Sequence, residues 1–184
     1  MKVAAMMFFL ALSVVGLQAQ QYTIGDLIEG QVQDVEEKVT SLADAVPDSA
    51  YDFVPSKGEF AGVRTFGEQL KHIAATNKVF ASALLGRESG LTKDEMFTGP
   101  KKIRTKADIV QFLKQSFALC HVAANSVSDT NFKDRVLNPL VEKKMSRLGI
   151  ADLMFSHTFD HYGQIVVYAR MNGIIPPDTL RRSR

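Results

Sequence analysis

Two histidines near the carboxyl end of the chain, His157 and His161, stand four residues apart in a segment with helical periodicity. On a helix this spacing brings both side chains to one face, with Cβ atoms ~5–6 Å apart. Two imidazoles placed in this way can bind one cation at the ~2.0–2.1 Å distances of zinc–nitrogen coordination. The spacing therefore predicts part of a metal site. The alternative is that both are core histidines hydrogen-bonded to carbonyl, Tyr or Asp groups.

A third ligand has to come from another helix, and His72 is the candidate. It lies beside Ile73 at the edge of the apolar stripe of its segment, so a boundary histidine that bonds locally is the alternative. The fourth histidine, His121, is expected at the surface or boundary of its helix, and its neighbour Cys120 is expected in the core. Adjacent residues on a helix do not face each other, which argues against a joint role for these two.

Several polar residues could line a pocket beside these histidines or support the ligands. They follow or precede the histidines on their helix or interrupt an apolar stripe: Asp160, Gln164, Tyr168 and Asn77. Zinc proteases with two histidines at this spacing carry Glu directly after the first one, as the general base. Here Thr158 follows His157, so we do not expect that reaction.

Four amphipathic segments must position these residues. Their apolar side chains recur at three- and four-residue steps over about 24–46, 65–84, 105–127 and 147–172, which is the spacing of one helical face. The alternation over 135–141 is too short to predict a strand. We therefore predict an all-α fold, a four-helix bundle, in a single domain over residues 20–184. The long connections after the first and third helices allow crossover connections.

Residues at the ends of these segments support the boundaries. Thr65 and Glu68 have the spacing of a capping box, in which each side chain accepts a hydrogen bond from the other residue's backbone N–H. Thr105 and Ser146 are expected to cap the third and fourth helices. The fourth helix is expected to end at Gly173.

Composition and charge fit one globular domain. The 184-residue chain is 46% hydrophobic and 23% charged, with 22 basic and 20 acidic side chains. No stretch concentrates Lys and Arg on one helical face, so nucleic acid is not expected as a partner. Cys120 is the only cysteine. No internal disulfide can form, and the fold must depend on its core and on any bound metal.

The first 19 residues have the pattern of a cleaved secretory signal peptide. Lys2 supplies a positive charge, an almost unbroken apolar run follows over 3–15, and Ala19 precedes polar Gln20. The apolar run is shorter than the ~20 residues of a transmembrane helix, which favours cleavage over a membrane anchor. We therefore expect an exported bacterial protein, periplasmic or secreted, with no membrane contact after cleavage.

Two stretches resemble the DinB-like superfamily. The stretch from His157 through Thr-Phe-Asp-His161 to Gln164 resembles the final helix of that family, and the stretch from Thr65 to Ala74 around His72 resembles its second helix. The resemblance covers about Tyr22 to Pro177. It implies a four-helix bundle with a long crossover, a metal held by His72, His157 and His161, and a homodimer.

The activities of that family vary, and several hypotheses stay open. An ion with an open coordination position would serve a metal-dependent hydrolase or a thiol-group transferase acting on a small-molecule substrate. The low-molecular-weight thiols used by such transferases are chiefly cytosolic, which argues against thiol transfer after export. A non-catalytic metal-binding module would instead need a fourth protein ligand such as Asp160 or Glu68. A dimeric interaction module would keep the histidines as core residues. Zinc or nickel is the expected metal, because imidazole suits both.

Overall fold

The computed structural model describes residues 22–55 and 62–182. The predicted signal peptide, residues 1–19, lies outside the described residues. The described residues form six α-helices, one 3₁₀ turn at Asp48–Ala50 and two short strands. The α-helices and strands follow in the order α1 Ile24–Ala45, α2 Phe66–Leu84, α3 Glu95–Thr98, α4 Lys106–Ala124, β1 Arg135–Asn138, β2 Lys143–Ser146, α5 Arg147–Met171 and α6 Pro177–Arg182. None of the described helices is long and apolar enough to cross a membrane.

The four long helices form a bundle. α2 packs mainly against α4 and α5, and α1 also packs against α4 and α5. α1 and α2 therefore occupy opposite corners of the bundle, and so do α4 and α5. The connections that follow α1 and α4 must cross the bundle, which confirms the predicted all-α four-helix bundle with long crossover connections.

Side-chain caps fix where the helices start. The Thr65 hydroxyl accepts a hydrogen bond from the Glu68 N–H at 3.1 Å, and the Glu68 carboxylate accepts one from the Thr65 N–H at 2.9 Å. Thr105 and Ser146 cap α4 and α5 as predicted. Each such cap contributes ~1 kcal/mol to helix stability. The capping box at Thr65 sets the register of α2, the helix that carries His72.

α2 is buried on most of its surface, because α4, α5, α3 and β1 all pack around it. Leu70, Ile73 and Leu84 are at most 1% exposed, and burial of side chains of this size contributes ~1.5–3 kcal/mol each. The same burial removes the polar side chains of Gln69 and His72 from water. Their polar atoms must therefore find partners within the protein.

The segment between α4 and α5 contains a short β-hairpin, which the sequence analysis did not predict. β1 and β2 pair antiparallel, with Val136 opposite Met145. The Asn138 side-chain oxygen accepts a hydrogen bond from the Leu140 N–H at 3.0 Å, which stabilises the turn between the strands. Each strand has only four residues, too few for alternation to distinguish a strand from a loop. The expectation of no strand is therefore wrong for this segment.

Cys120 and His121 lie side by side on α4 but in different surroundings. Cys120 is buried in the core, as predicted, and burial raises the pKa of its thiol. His121 lies at the boundary between α4 and α1, where Nδ1 contacts the Glu29 carboxylate at 2.6 Å and Nε2 contacts the Glu36 carboxylate at 2.6 Å. Both ring nitrogens must donate to satisfy two carboxylates, so this geometry favours the imidazolium form.

We expect the ion pairs of His121 to make the stability of the protein depend on pH. Burial alone would lower the pKa of this imidazole, but its hydrogen bonds to Glu36 and Glu29 outweigh burial and raise the pKa. The stabilisation is therefore complete below ~6.5, the pKa of an unfolded histidine, and is lost as pH rises through the raised pKa of the folded protein. The loss should be about 1 kcal/mol or less, because the cluster is partly exposed.

Urea unfolding between pH 6 and pH 8 measures this effect, with His121→Gln as the comparison. The wild-type protein should lose stability over this interval relative to the variant. A constant difference between the two proteins over the interval would contradict the assignment of a charged His121.

Candidate metal centre

α2 and α5 bring the three predicted histidines together. His72 projects from α2, and His157 and His161 project from α5. The Nε2 atom of His157 lies 3.2 Å from Nε2 of His72 and 3.2 Å from Nε2 of His161. One nitrogen from each ring lies within 4.8 Å of the others, so the group could hold a metal ion.

These separations suit a small divalent cation. Metal–nitrogen distances of 2.0–2.1 Å with tetrahedral angles place two donor atoms ~3.3 Å apart. Both contacts of His157 come close to that value. The backbones of α2 and α5 already hold the rings at a spacing that one ion could bridge.

Hydrogen bonds on the far side of two rings orient their Nε2 atoms. Nδ1 of His72 donates to the Phe97 carbonyl at 2.5 Å. The Thr76 hydroxyl donates to the His72 carbonyl at 2.9 Å, which leaves its oxygen free to accept from Nδ1 of His157 at 3.3 Å. With the proton on Nδ1, each neutral ring presents an Nε2 lone pair to the centre.

His161 has no such partner on its far side. Its Nδ1 atom is buried and makes no hydrogen bond to the described residues, although the Gln164 side chain lies beside the ring. Two lone pairs that face each other at 3.2 Å need a proton or a cation between them. The three converging Nε2 atoms therefore fit a bound metal ion.

The three rings stay uncharged at neutral pH. Burial lowers the pKa of His72 to about 3 and that of His157 to about 4, and it also lowers the pKa of His161. The nearby Arg64 cation lowers all three pKa values further. Only neutral imidazole ligates a metal, so protons compete for these nitrogens only below about pH 6.5, the ordinary pKa of histidine.

A cleft of about 640 Å³ opens beside the histidines, between α2, α5 and the segment around α3. Gln164 and Tyr168 line it, together with Gln69. The Gln69 Nε2 donates to the Gln164 Oε1 at 2.8 Å, one helical turn from a histidine on each helix. Asp160 lies on the exposed side of α5, where its carboxylate accepts from Gln164 Nε2 at 3.4 Å.

Asn77 lies away from this cleft. Its Oδ1 accepts from the Thr158 hydroxyl at 2.9 Å in the buried contact between α2 and α5. The sequence placed it on the apolar stripe, and the structure gives it a role in joining the two helices. Among the described residues, no fourth His, Cys, Asp or Glu joins the histidine group.

The groups that orient the rings were not predicted from the sequence. The Phe97 carbonyl belongs to α3, which was not predicted, and a backbone oxygen leaves no mark in a sequence. Gly99 ends α3 with φ +73° and lies so close to α2 that an added Cβ would sit 3.1 Å from the Lys71 carbonyl oxygen. The Gly-Pro pair at this position was the one available sign of a close turn.

Comparisons with known proteins place this architecture among DinB-like proteins. The family model of the DinB superfamily matches residues 31–165. A DinB-like protein from Bacillus cereus is similar in structure, with 20% identity and a TM-score of 0.63 over 84% of this chain and 96% of that one. A DinB-like protein from Bacillus subtilis is similar with 18% identity and a TM-score of 0.59 over 80% of this chain and 92% of that one. No curated protein sequence matches the chain.

Gly99→Ala should weaken metal binding by displacing the Phe97 carbonyl from His72. The substitution adds both a strained positive φ and a clash with Lys71. Loss of a group that orients a metal ligand typically costs ~10–100-fold in affinity. Gly90→Ala is the matched control, because Gly90 has φ +69° with open space around it.

Competition with a fluorescent zinc chelator measures both affinities. Gly90→Ala should bind as the wild type does. Equal affinities for Gly99→Ala and Gly90→Ala would show that the α3 segment does not position His72.

Proposed function

Because this chain belongs to the DinB superfamily and its three histidines could hold a metal ion, we propose that it is a metal-dependent enzyme. In this proposal His72, His157 and His161 bind one divalent ion through their Nε2 atoms. The observation that carries it is the convergence of Nε2 atoms 3.2 Å apart, two of them on rings with Nδ1 already hydrogen-bonded.

The incomplete ligand set favours catalysis over a purely structural ion. Structural zinc sites are closed by four protein ligands, whereas catalytic sites keep a position for water or substrate. The two residues that could close this site are engaged elsewhere: the Glu68 carboxylate caps α2, and Asp160 is exposed beside Gln164. A non-catalytic module of the kind considered from the sequence would need one of them as a ligand.

The residues around the centre would hold and shield the reacting groups. Phe97 and Thr76 keep two rings in the tautomer that ligates, and the paired amides of Gln69 and Gln164 line the cleft one helical turn from the rings. A divalent ion with an open position acts as a Lewis acid and lowers the pKa of a bound water or thiol. The reaction classes that this supports are hydrolysis and thiol-group transfer on a small molecule, with zinc or nickel as the ion.

Export and self-association complete the proposal. Export rests on the pattern of residues 1–19, and a homodimer rests on the likeness to the family. Size-exclusion chromatography with light scattering measures the second. Both stay predictions.

His157→Ala should abolish stoichiometric metal binding at pH 7. The Nε2 atom of His157 lies 3.2 Å from the Nε2 atoms of both other rings, so its loss removes the central ligand and leaves only two histidines to hold the ion. His121→Gln is the matched control, since it removes the remaining histidine, which lies between α1 and α4. Metal content of untagged protein after dialysis against zinc or nickel gives the result directly.

The wild type and His121→Gln should each retain about one ion per chain. Full binding by His157→Ala would sink the three-histidine centre. A wild-type protein that binds no metal, and gains no thermal stability from either ion, would support the interaction module with core histidines.

The export proposal predicts that the full-length chain is shortened in a bacterial host. Mass spectrometry of protein from the periplasm or medium should give a chain that begins near Gln20. A variant without residues 2–19 is the control and should stay in the cytoplasm. Recovery of the unshortened chain in the cytoplasm would contradict export.

A further inference from the structure

The cleft beside the histidines has an unsatisfied acceptor in its wall. Gln69 lines the cleft and is 4% exposed. Its Nε2 is used in the bond to Gln164, and its Oε1 is buried without a hydrogen-bond partner among the described residues. A buried amide oxygen without a partner costs ~1–3 kcal/mol. If the amide is turned over, a polar atom of Gln69 still lacks a partner.

The charges of the cleft are unbalanced towards positive. Three cationic residues line it, Arg64, Lys71 and Lys101, but only two acidic ones, Glu68 and Asp94. The Glu68 carboxylate is hydrogen-bonded to the Thr65 N–H, and Asp94 lies 3.9 Å from Lys101. Among the described residues, no carboxylate pairs with Arg64 or Lys71.

Arg64 is held in place by one hydrogen bond, and its other guanidinium donors have no partner among the described residues. One of its guanidinium nitrogens donates to the Phe97 carbonyl at 3.3 Å, the same oxygen that accepts from His72. A guanidinium has five N–H donors and can bind a carboxylate or a phosphate through two of them. Arg64 therefore links the wall of the cleft to the histidine group.

From these three features we propose that the cleft binds a small anionic molecule as the substrate of the centre. Its carboxylate or phosphate lies against Arg64 and Lys71, and a hydroxyl or amide N–H on the same molecule donates to Gln69. The role of this molecule as a substrate rests on the proposed metal-dependent function, but its binding requires only the cleft. The volume of about 640 Å³ is in the range of small-molecule sites.

Binding of simple probes to the full mature chain, both zinc-loaded and metal-free, tests this inference. The probes are inorganic phosphate, propanoate, 3-hydroxypropanoate and propylammonium. Their binding is measured by titration with ligand-observed NMR. The anions should bind and the ammonium should not. The preference between phosphate and the carboxylates identifies the anionic group. The hydroxy acid should bind more tightly than propanoate, because it can satisfy Gln69.

Variants assign the binding to the cleft. Arg64→Gln and Lys71→Gln should each weaken anion binding about fivefold. Lys78→Gln is the matched control, since it removes a positive charge from α2, the helix of Lys71, at a residue that does not line the cleft. Gln69→Met should remove the difference between 3-hydroxypropanoate and propanoate.

The possible outcomes test separate parts of the proposed anion site. Anion binding unaffected by Arg64→Gln and Lys71→Gln overturns the cleft as the site. Binding lost in His157→Ala but unchanged in both cation variants means that the anions only ligate the metal, which also overturns it. If Gln69→Met still binds 3-hydroxypropanoate more tightly than propanoate, Gln69 does not accept the hydrogen bond of the ligand. Anion binding by metal-free protein that depends on Arg64 upholds the cleft even where the metal test fails.

Discussion

The chemistry that this bundle can support depends on a row of buried polar contacts between α2 and α5, here called the polar seam. Gln69 pairs with Gln164, His72 meets His157 and His161, and Asn77 pairs with Thr158. The pairs run in opposite directions along the two helices, so the helices are antiparallel where they touch. Buried polar groups are tolerated only with partners. The packing of these helices is therefore constrained by hydrogen bonding as well as by apolar burial.

The segment around α3 extends the seam outwards. Gly99 permits close approach to the backbone of Lys71, and this brings the Phe97 carbonyl to His72. That carbonyl also accepts from Arg64, which lines the cleft. One backbone oxygen thus couples the tautomer of a ligand ring to the position of a cation in the neighbouring pocket. A change in this segment should affect the histidine group and the cleft together.

The parts of this arrangement that depend on helical periodicity and on helix caps could be predicted from the sequence. The spacing of His157 and His161 placed both on one helical face, and the capping box at Thr65 fixed the register of His72. The parts that depend on tertiary contact were out of reach. The contact of the Phe97 carbonyl with His72 and the Gln69 oxygen, which has no partner among the described residues, are set by how distant segments meet. The hairpin is local, but its four-residue strands are too short for alternation to identify them.

The four histidines show how surroundings give one residue type two chemical roles. His121 lies between two carboxylates at the edge of the bundle, which raises its pKa and makes it a cation that joins α1 to α4. The other three are buried next to one another and to Arg64, which lowers their pKa values and keeps them neutral. The carboxylates around His121 stabilise its protonated form, whereas burial destabilises the protonated forms of the other three histidines. Because the second group retains lone pairs that face each other, a metal cation is the species that its geometry can accept.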